Sequence, residues 1–184
     1  IKKPLISYHE HNKKSKGELL IKKLKSGEDI GLVTDAGMPG ISDPGEDIIH
    51  SSIENGIEVV VLPGATASIA ALVVSGLPTD KFVFEGFMPS KKKERIKELE
   101  RLKSETRTVI LYEAPHRLLA LLKDIEEVLG NRQISISREL TKLHEETFRG
   151  NVLEGIKKFE TQKPRGEFVI VIKGAEIKEE DIFK

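Results

Sequence analysis

Short strand-like apolar runs alternate with amphipathic helical stretches almost throughout the 184-residue chain. That alternation predicts an α/β fold with largely parallel sheets. One interruption, Leu77-Pro78-Thr79-Asp80, predicts a hinge at 77–81 between two α/β domains, 1–78 and 79–184.

In the first series, residues 4–10 read as a short strand. Residues 13–25 read as an amphipathic helix with Leu19, Leu20 and Leu24 on one face. The run DIGLVT at 29–34 has the composition of a buried strand. Residues 43–55 read as a helix. Asp43 suits its N-cap, Pro44 its first turn, and Gly56 the left-handed position past its end. IEVVVL at 57–62 is a further strand, and 66–75 a helix of small residues ending at Gly76.

The second series opens with a strand at 82–87. A charged helix follows at 91–103, with Ile96, Leu99 and Leu102 at helical spacing. Residues 108–112 form a strand. Residues 115–129 form a helix with Leu118, Leu122, Ile125 and Leu129 in register, closed by Gly130. A strand at 134–137, a helix at 152–159 and the strand FVIVI at 168–172 complete the series. The charged tail from Glu176 is expected to fray.

Composition excludes several chemistries. Charged residues make up 33% and apolar residues 38%, as in soluble globular proteins. No apolar run approaches the roughly 20 residues of a membrane-spanning helix. No cysteine is present, which removes disulfides, thiolate catalysis and cysteine-based zinc sites. Ile1-Lys2-Lys3-Pro4 leads into no apolar signal region, and together these features suggest a cytoplasmic location.

The net charge of zero conceals a segregation. Residues 1–25 hold eight lysines against Glu10 and Glu18, whereas 26–80 hold nine acids and no Lys or Arg. A nucleic-acid partner needs local basic surface, so the ends can supply one and the middle cannot.

Five stretches have residue types suited to chemistry. "TDAGMPGISDPG" at 34–45 follows a strand and opens a helix, a position where α/β sheets bind ligands. Gly37 and Gly40 permit positive φ and close backbone approach, and Pro39 fixes φ. A plain tight turn explains the same residues. The loop matches neither the dinucleotide nor the P-loop pattern. Leu62-Pro63-Gly64-Ala65-Thr66-Ala67-Ser68 repeats the arrangement, with Thr66 as candidate N-cap. Plain helix–sheet packing explains it equally.

Tyr112-Glu113-Ala114-Pro115-His116-Arg117 gathers acid, imidazole and guanidinium at a strand end. The run from Ser137 to Glu146 is dense in the same groups. Both also read as solvated loops with surface ion pairs. His9 and His11, at i and i+2, lack a third placed ligand, so no metal is expected.

Taken in order, "SYHEHN", "TDAGMPGISDPG", "LPGATASIAALVVSGLPTDKFVFEGFMPSKKKER", "LYEAPHR" and "SRELTKLHEE" make the chain resemble one branch of the tetrapyrrole-methylase superfamily. Its members are S-adenosylmethionine-dependent 2′-O-methyltransferases acting on a cytidine of small-subunit ribosomal RNA. The resemblance runs from about Pro4 to Lys173. It implies two α/β domains of the tetrapyrrole-methylase type, with the methyl donor in the cleft between them. It places the donor on Ala36, Gly37, Met38, Pro39 and Ile41, and on Pro63, Gly64, Thr66 and Ala67. Tyr112 and Leu140 would close the pocket. Members are commonly homodimers.

The resemblance also implies a further N-terminal strand and loop. The chain is therefore expected to be N-terminally truncated, and inactivity of the truncated chain is one expectation.

A neutral ribose hydroxyl needs a base or a nearby cation. The candidates are Glu113, His116, Glu139 and Glu145, with His9 and His11 if the N-terminal strand folds back. Arg117, Arg138 and Lys142 are candidate phosphate contacts. Lys91, Lys92, Lys93 and Arg95 are the first choice for a backbone-phosphate patch, or else a solvated helix start. The alternatives are a small-molecule methylase of tetrapyrrole type on the same fold, and a non-catalytic nucleotide-binding fragment.

Overall fold

The computed structural model describes residues 3–176, so most of the charged tail lies outside the described residues. The chain gathers into two compact units, Ile1–Thr66 and Ala67–Lys184.

The first unit holds two helices, α1 (Lys13–Lys25) and α2 (Glu46–Glu54), packed against each other. Each contributes one buried apolar residue, Leu20 and Ile48. The strands expected at 4–10, 29–34 and 57–62 are not formed among the described residues. A strand gains stability from a neighbour's backbone and from burial of its side chains. These runs have neither: Val33, Val60 and Leu62 are 79%, 72% and 81% exposed.

Asp43 does not cap α2. The helix begins at Glu46, after Gly45 at φ 147°. Asp43 instead accepts a hydrogen bond of 3.0 Å from the Thr34 hydroxyl, which ties the 34–45 loop shut. At φ 147° a side chain at position 45 would be strained, and its Cβ would also displace the end of the Leu32 side chain, so the position favours glycine.

The second unit follows the order α3 (Ala67–Ser75), β1 (Phe82–Phe87), α4 (Lys92–Arg101), β2 (Thr108–Glu113), α5 (Leu118–Leu129), β3 (Gln133–Arg138), β4 (Glu146–Asn151), α6 (Val152–Thr161) and β5 (Phe168–Ile172). One five-stranded sheet runs β1-β2-β5-β3-β4. It is mixed, not largely parallel: only β1 and β2 pair in parallel. β5 inserts antiparallel between β2 and β3, and β3 and β4 are joined as a hairpin, which needs no helical crossover.

Leu99 of α4, Leu118, Leu121, Leu122 and Ile125 of α5, and Val152 and Phe159 of α6 cover one face of the sheet. On the other face, Ala71 and Leu72 of α3 pack with Ile110, Val169 and Val171. That packing draws α3 into the second unit, so the units divide ahead of the 77–81 break.

β4 has no counterpart among the expected strands. Its sequence ETFRGN is polar, and it is held by pairing with β3 rather than by an apolar face. Asn151 then starts α6 with a reciprocal capping box: its side chain accepts from the Glu154 amide, and its own amide donates to the Glu154 carboxylate.

α4 and α5 are joined by a buried ion pair. Arg95 Nε donates to Asp124 Oδ2 at 2.6 Å, and both side chains are nearly inaccessible. Arg95 also donates to the Pro89 and Ser90 carbonyls. Removing one partner leaves a buried charge uncompensated. Asp124→Ala should therefore cost about 3–5 kcal/mol, read as a lower urea midpoint. A loss within experimental error would show that Arg95 is solvated by another route.

Candidate functional site

In the first unit the fold brings together the two loops marked by sequence. Gly37 sits at φ 81°, and a Cβ added there would lie 3.3 Å from the Ala65 carbonyl oxygen. A Cβ at Gly64 would lie 3.5 Å from Met38 Sδ. Loop 36–41 and loop 63–66 thus approach through backbone and small side chains. Pro63 and Gly64 are exposed, as are Ala36, Gly37 and Ile41; Met38, Pro39 and Thr66 are half-buried. Bare backbone of this kind leaves N–H and C=O groups able to bond a ligand lying against it.

In the second unit the Tyr112 hydroxyl accepts from the Ser68 amide at 3.0 Å, beside Ala67 at the start of α3. The Tyr112 ring packs edge-on against Phe84 and Phe87, with centroids 4.9 and 5.6 Å away. Leu140 packs on the same face of the sheet.

Glu113 points the other way. Successive strand residues project to opposite faces, so Tyr112 faces α3 while Glu113 is turned toward the layer of α4 and α5. The carboxyl is fully buried. Oε1 accepts from the Ala114 amide at 2.8 Å and stands 3.2 Å from Arg117 Nε, without hydrogen-bond geometry. Oε2 has no hydrogen-bond partner among the described residues. Burial raises its pKa above the ordinary 4.5, and the Ala114 amide, Arg117, Arg95 and His116 counteract only part of that. Arg117 also donates to the Met88 and Pro89 carbonyls. His116 is exposed.

The other two candidate acids hold the loop between β3 and β4. Glu139 Oε1 accepts from the Glu167 amide at 3.0 Å and from Lys142 at 3.3 Å. The first of these bonds, mainly, holds its pKa below the ordinary range. Glu145 accepts from the Thr141 amide at 2.6 Å. Glu139 and Thr141 themselves occupy positive φ, 48° and 66°. A cavity of about 210 Å³ beside this loop is lined by Arg138, Glu139, His144, Arg165 and Gly166.

Most of the cations singled out from sequence already have acidic partners. Lys91 pairs with Glu94 at 3.2 Å, and Lys92 with Glu127 and Asp124 at 3.1 and 3.4 Å. Arg95 is buried against Asp124, and Arg117 lies beside Glu113. Arg138 stands 3.0 Å from Glu146, and Lys142 2.9 Å from Glu167. Among the described residues Lys93 has no ion pair. His9 and His11 stack edge-on at 6.0 Å, and the His9 ring lies 3.0 Å from the Asn12 amide nitrogen. No cluster of three or more metal-ligating side chains occurs among the described residues, and no described helix is long and apolar enough to cross a membrane.

Contacts differ in whether they leave a local signal in the sequence. The Tyr112–Ser68 bond joins residues far apart in sequence and leaves no local signal. The capping box at Asn151 does leave one, the N-x-x-E spacing.

These loops and this sheet define a class. A family model described as Tetrapyrrole (Corrin/Porphyrin) Methylases matches residues 3–154, and the chain belongs to that family. The fold is also that of the methyltransferase CobJ, at a TM-score of 0.66 and 16% identity over 90% of this chain and 72% of that one. It is likewise that of a Thermus thermophilus uroporphyrin-III C-methyl transferase complexed with S-adenyl homocysteine, at 0.56 and 16% over 87% and 73%.

Sequence similarity is more particular. The chain is 52% identical to ribosomal RNA small subunit methyltransferase I of Synechocystis sp., over 94% of its own length and 62% of the relative's. It is 47% identical to the protein of the same name from Thermotoga maritima, over 96% and 79%. The chain thus spans less than two thirds of the length of the first of these relatives.

Burial of Glu113 has a consequence for pH. With its folded pKa raised, the protonated form is favoured by folding. That stabilisation is fully present below the unfolded carboxylate pKa and is lost as pH rises through the folded value. Relative to Glu113→Gln, which does not titrate, wild-type stability should decline from the ordinary carboxylate range upward. Urea midpoints of the two proteins measured across that range test it. A difference independent of pH would contradict the burial.

Proposed function

We propose that the chain is part of an S-adenosylmethionine-dependent methyltransferase that 2′-O-methylates a cytidine ribose in small-subunit ribosomal RNA. Its similarity to the ribosomal RNA methyltransferases favours RNA over a tetrapyrrole-like small molecule. The observation that carries the donor assignment is the approach of loops 36–41 and 63–66, with Gly37 against Ala65 and Gly64 against Met38. The close approach at the two glycines leaves exposed backbone of both loops side by side, where a ligand can be held by it.

Ala36, Gly37, Met38, Pro39 and Ile41 would hold the donor with Pro63, Gly64 and Thr66. Assigning Ala67, Tyr112 and Leu140 to the donor rests on the sequence resemblance, and a domain boundary after residue 78 rests on the break at Leu77-Pro78-Thr79-Asp80. When bound, the donor supplies a methyl group already activated on a sulfonium. The protein's own part is to orient the ribose hydroxyl and to take its proton.

Among the candidate bases, His116 is exposed and its ring is not committed to an ion pair among the described residues. Glu139 and Glu145 accept backbone hydrogen bonds that hold their loop, and Glu113 is buried. We therefore favour His116 as the group to test first. A homodimer in the cytoplasm belongs to the same reading.

Gly37→Val tests the donor loop. The new side chain meets the Ala65 carbonyl and strains a backbone at positive φ. We expect donor affinity by calorimetry, measured on variant protein shown to be folded by circular dichroism, to fall at least about tenfold, or about 1.4 kcal/mol, together with a lower melting temperature from the strain. Unchanged affinity would remove this loop from the donor site.

A further inference from the structure

We propose that the groove between α1 and α2 is a docking surface for the phosphate backbone of the RNA substrate. This deepens the ribosomal-RNA reading and rests on it. The groove encloses about 610 Å³ within the first unit. Along one side run Lys14, Lys22 and Lys25; Tyr8, Ser51 and Asn55 contribute an aromatic ring, a hydroxyl and an amide.

Helical spacing produces this arrangement. Positions i, i+8 and i+11 fall on one side of α1, so Lys14, Lys22 and Lys25 share a face. At 1.5 Å per residue, they span roughly 16 Å along the helix axis, enough for several phosphates of a single strand. The helix carries six lysines against one acid, Glu18.

Two of the six are committed. Lys13 pairs with Glu10 and lies 3.9 Å from Asp47, and Lys23 pairs with Glu28. Lys14, Lys22 and Lys25 have no ion pair among the described residues and are exposed. They are the reverse of the 91–95 cluster, whose charges are largely met by Glu94, Asp124 and Glu127. Glu18 and Asp47 also line the groove, and Asp47 is engaged by Lys13.

Ile21 and Ile48 also line the groove, and Tyr8, Ser51 and Asn55 suit nucleic acid. A phosphate chain flanked by an aromatic ring and by neutral hydrogen-bonding side chains is the usual pattern for single-stranded RNA. A lipid surface fits less well. It requires a continuous apolar helix face open to solvent; in α1 Leu19 is exposed, but Leu20 is buried and Ile21 and Leu24 are half-buried.

Gly17, on the groove wall, provides a test with little risk to the fold. A Cβ there meets nothing within 4 Å. Gly17→Glu adds an acid to the groove and raises helix propensity at the same time. The companion variant is Lys14→Gln/Lys22→Gln/Lys25→Gln.

Binding of a labelled oligouridylate to the full chain is followed by fluorescence anisotropy as salt is varied. Three lost phosphate contacts should flatten the log–log salt slope by about 2 and weaken affinity about tenfold or more. Gly17→Glu should weaken binding, and Gly17→Ala should not. Calorimetry with S-adenosylmethionine should be the same for all variants.

Unchanged affinity and slope in both the triple variant and Gly17→Glu overturn the assignment. So does wild-type binding to phosphatidylglycerol vesicles without binding to oligouridylate. If the groove variants lose RNA while the wild-type chain fails to bind the donor, the groove stands and the methyltransferase reading is what fails.

Discussion

β5 is the strand on which the second unit depends. All five of its residues are buried, and it is paired along its length with β2 on one side and β3 on the other. Such a strand has no solvent face, which favours apolar residues at every position, and FVIVI supplies them. Without it the sheet would separate into a parallel pair, β1 and β2, and a hairpin, β3 and β4. Neither piece buries enough surface to stand alone.

The same pairing orients the residues at the end of β2. Tyr112 lies opposite Val169, on the face that α3 covers, and Glu113 lies opposite Phe168, on the face of the helical layer. Read along the chain, Tyr112-Glu113-Ala114-Pro115-His116-Arg117 looks like one cluster of chemical groups. The two-residue period of the strand divides it. Tyr112 supports the start of α3, while Glu113 enters a buried polar seam with Arg117 and the Met88 and Pro89 carbonyls. A carboxyl there shapes the loop after β1 more readily than it reaches a solvent-borne hydroxyl.

The legible parts of the sequence were those with local causes. The leucines of α5 recur at helical spacing, and the helix forms where they do. FVIVI is a strand by composition and is one in the fold. β4 was not legible, because ETFRGN carries no strand pattern and owes its conformation to β3. The runs at 29–34 and 57–62 show the opposite case. Their β-branched residues describe what a strand contains, but a ladder needs a neighbour, and among the described residues Val60 and Leu62 have none. The loops that follow those runs still meet, because their approach depends on small residues and a glycine at positive φ rather than on strand pairing.

Charge was the least legible property, and the reason bears on function. A lysine held by a carboxylate must give up that partner before it can hold a phosphate, so its contribution to binding is a difference between two similar interactions. What matters for RNA is therefore the density of unpaired cations, not of lysines. In the run KKKERIKELER the acids lie at helical spacing from the bases, and α5 supplies Asp124 and Glu127 from across the helix pair. The basic appearance of that run is cancelled from a segment about 30 residues away, which a reading along the chain does not see. α1 differs in which lysines the nearby acids reach: α2 carries Glu46, Asp47 and Glu54, yet among the described residues only Asp47 approaches a lysine of α1. Asp47 and Glu10 engage Lys13 and Glu28 engages Lys23, while the lysines at 14, 22 and 25 have no ion pair among the described residues.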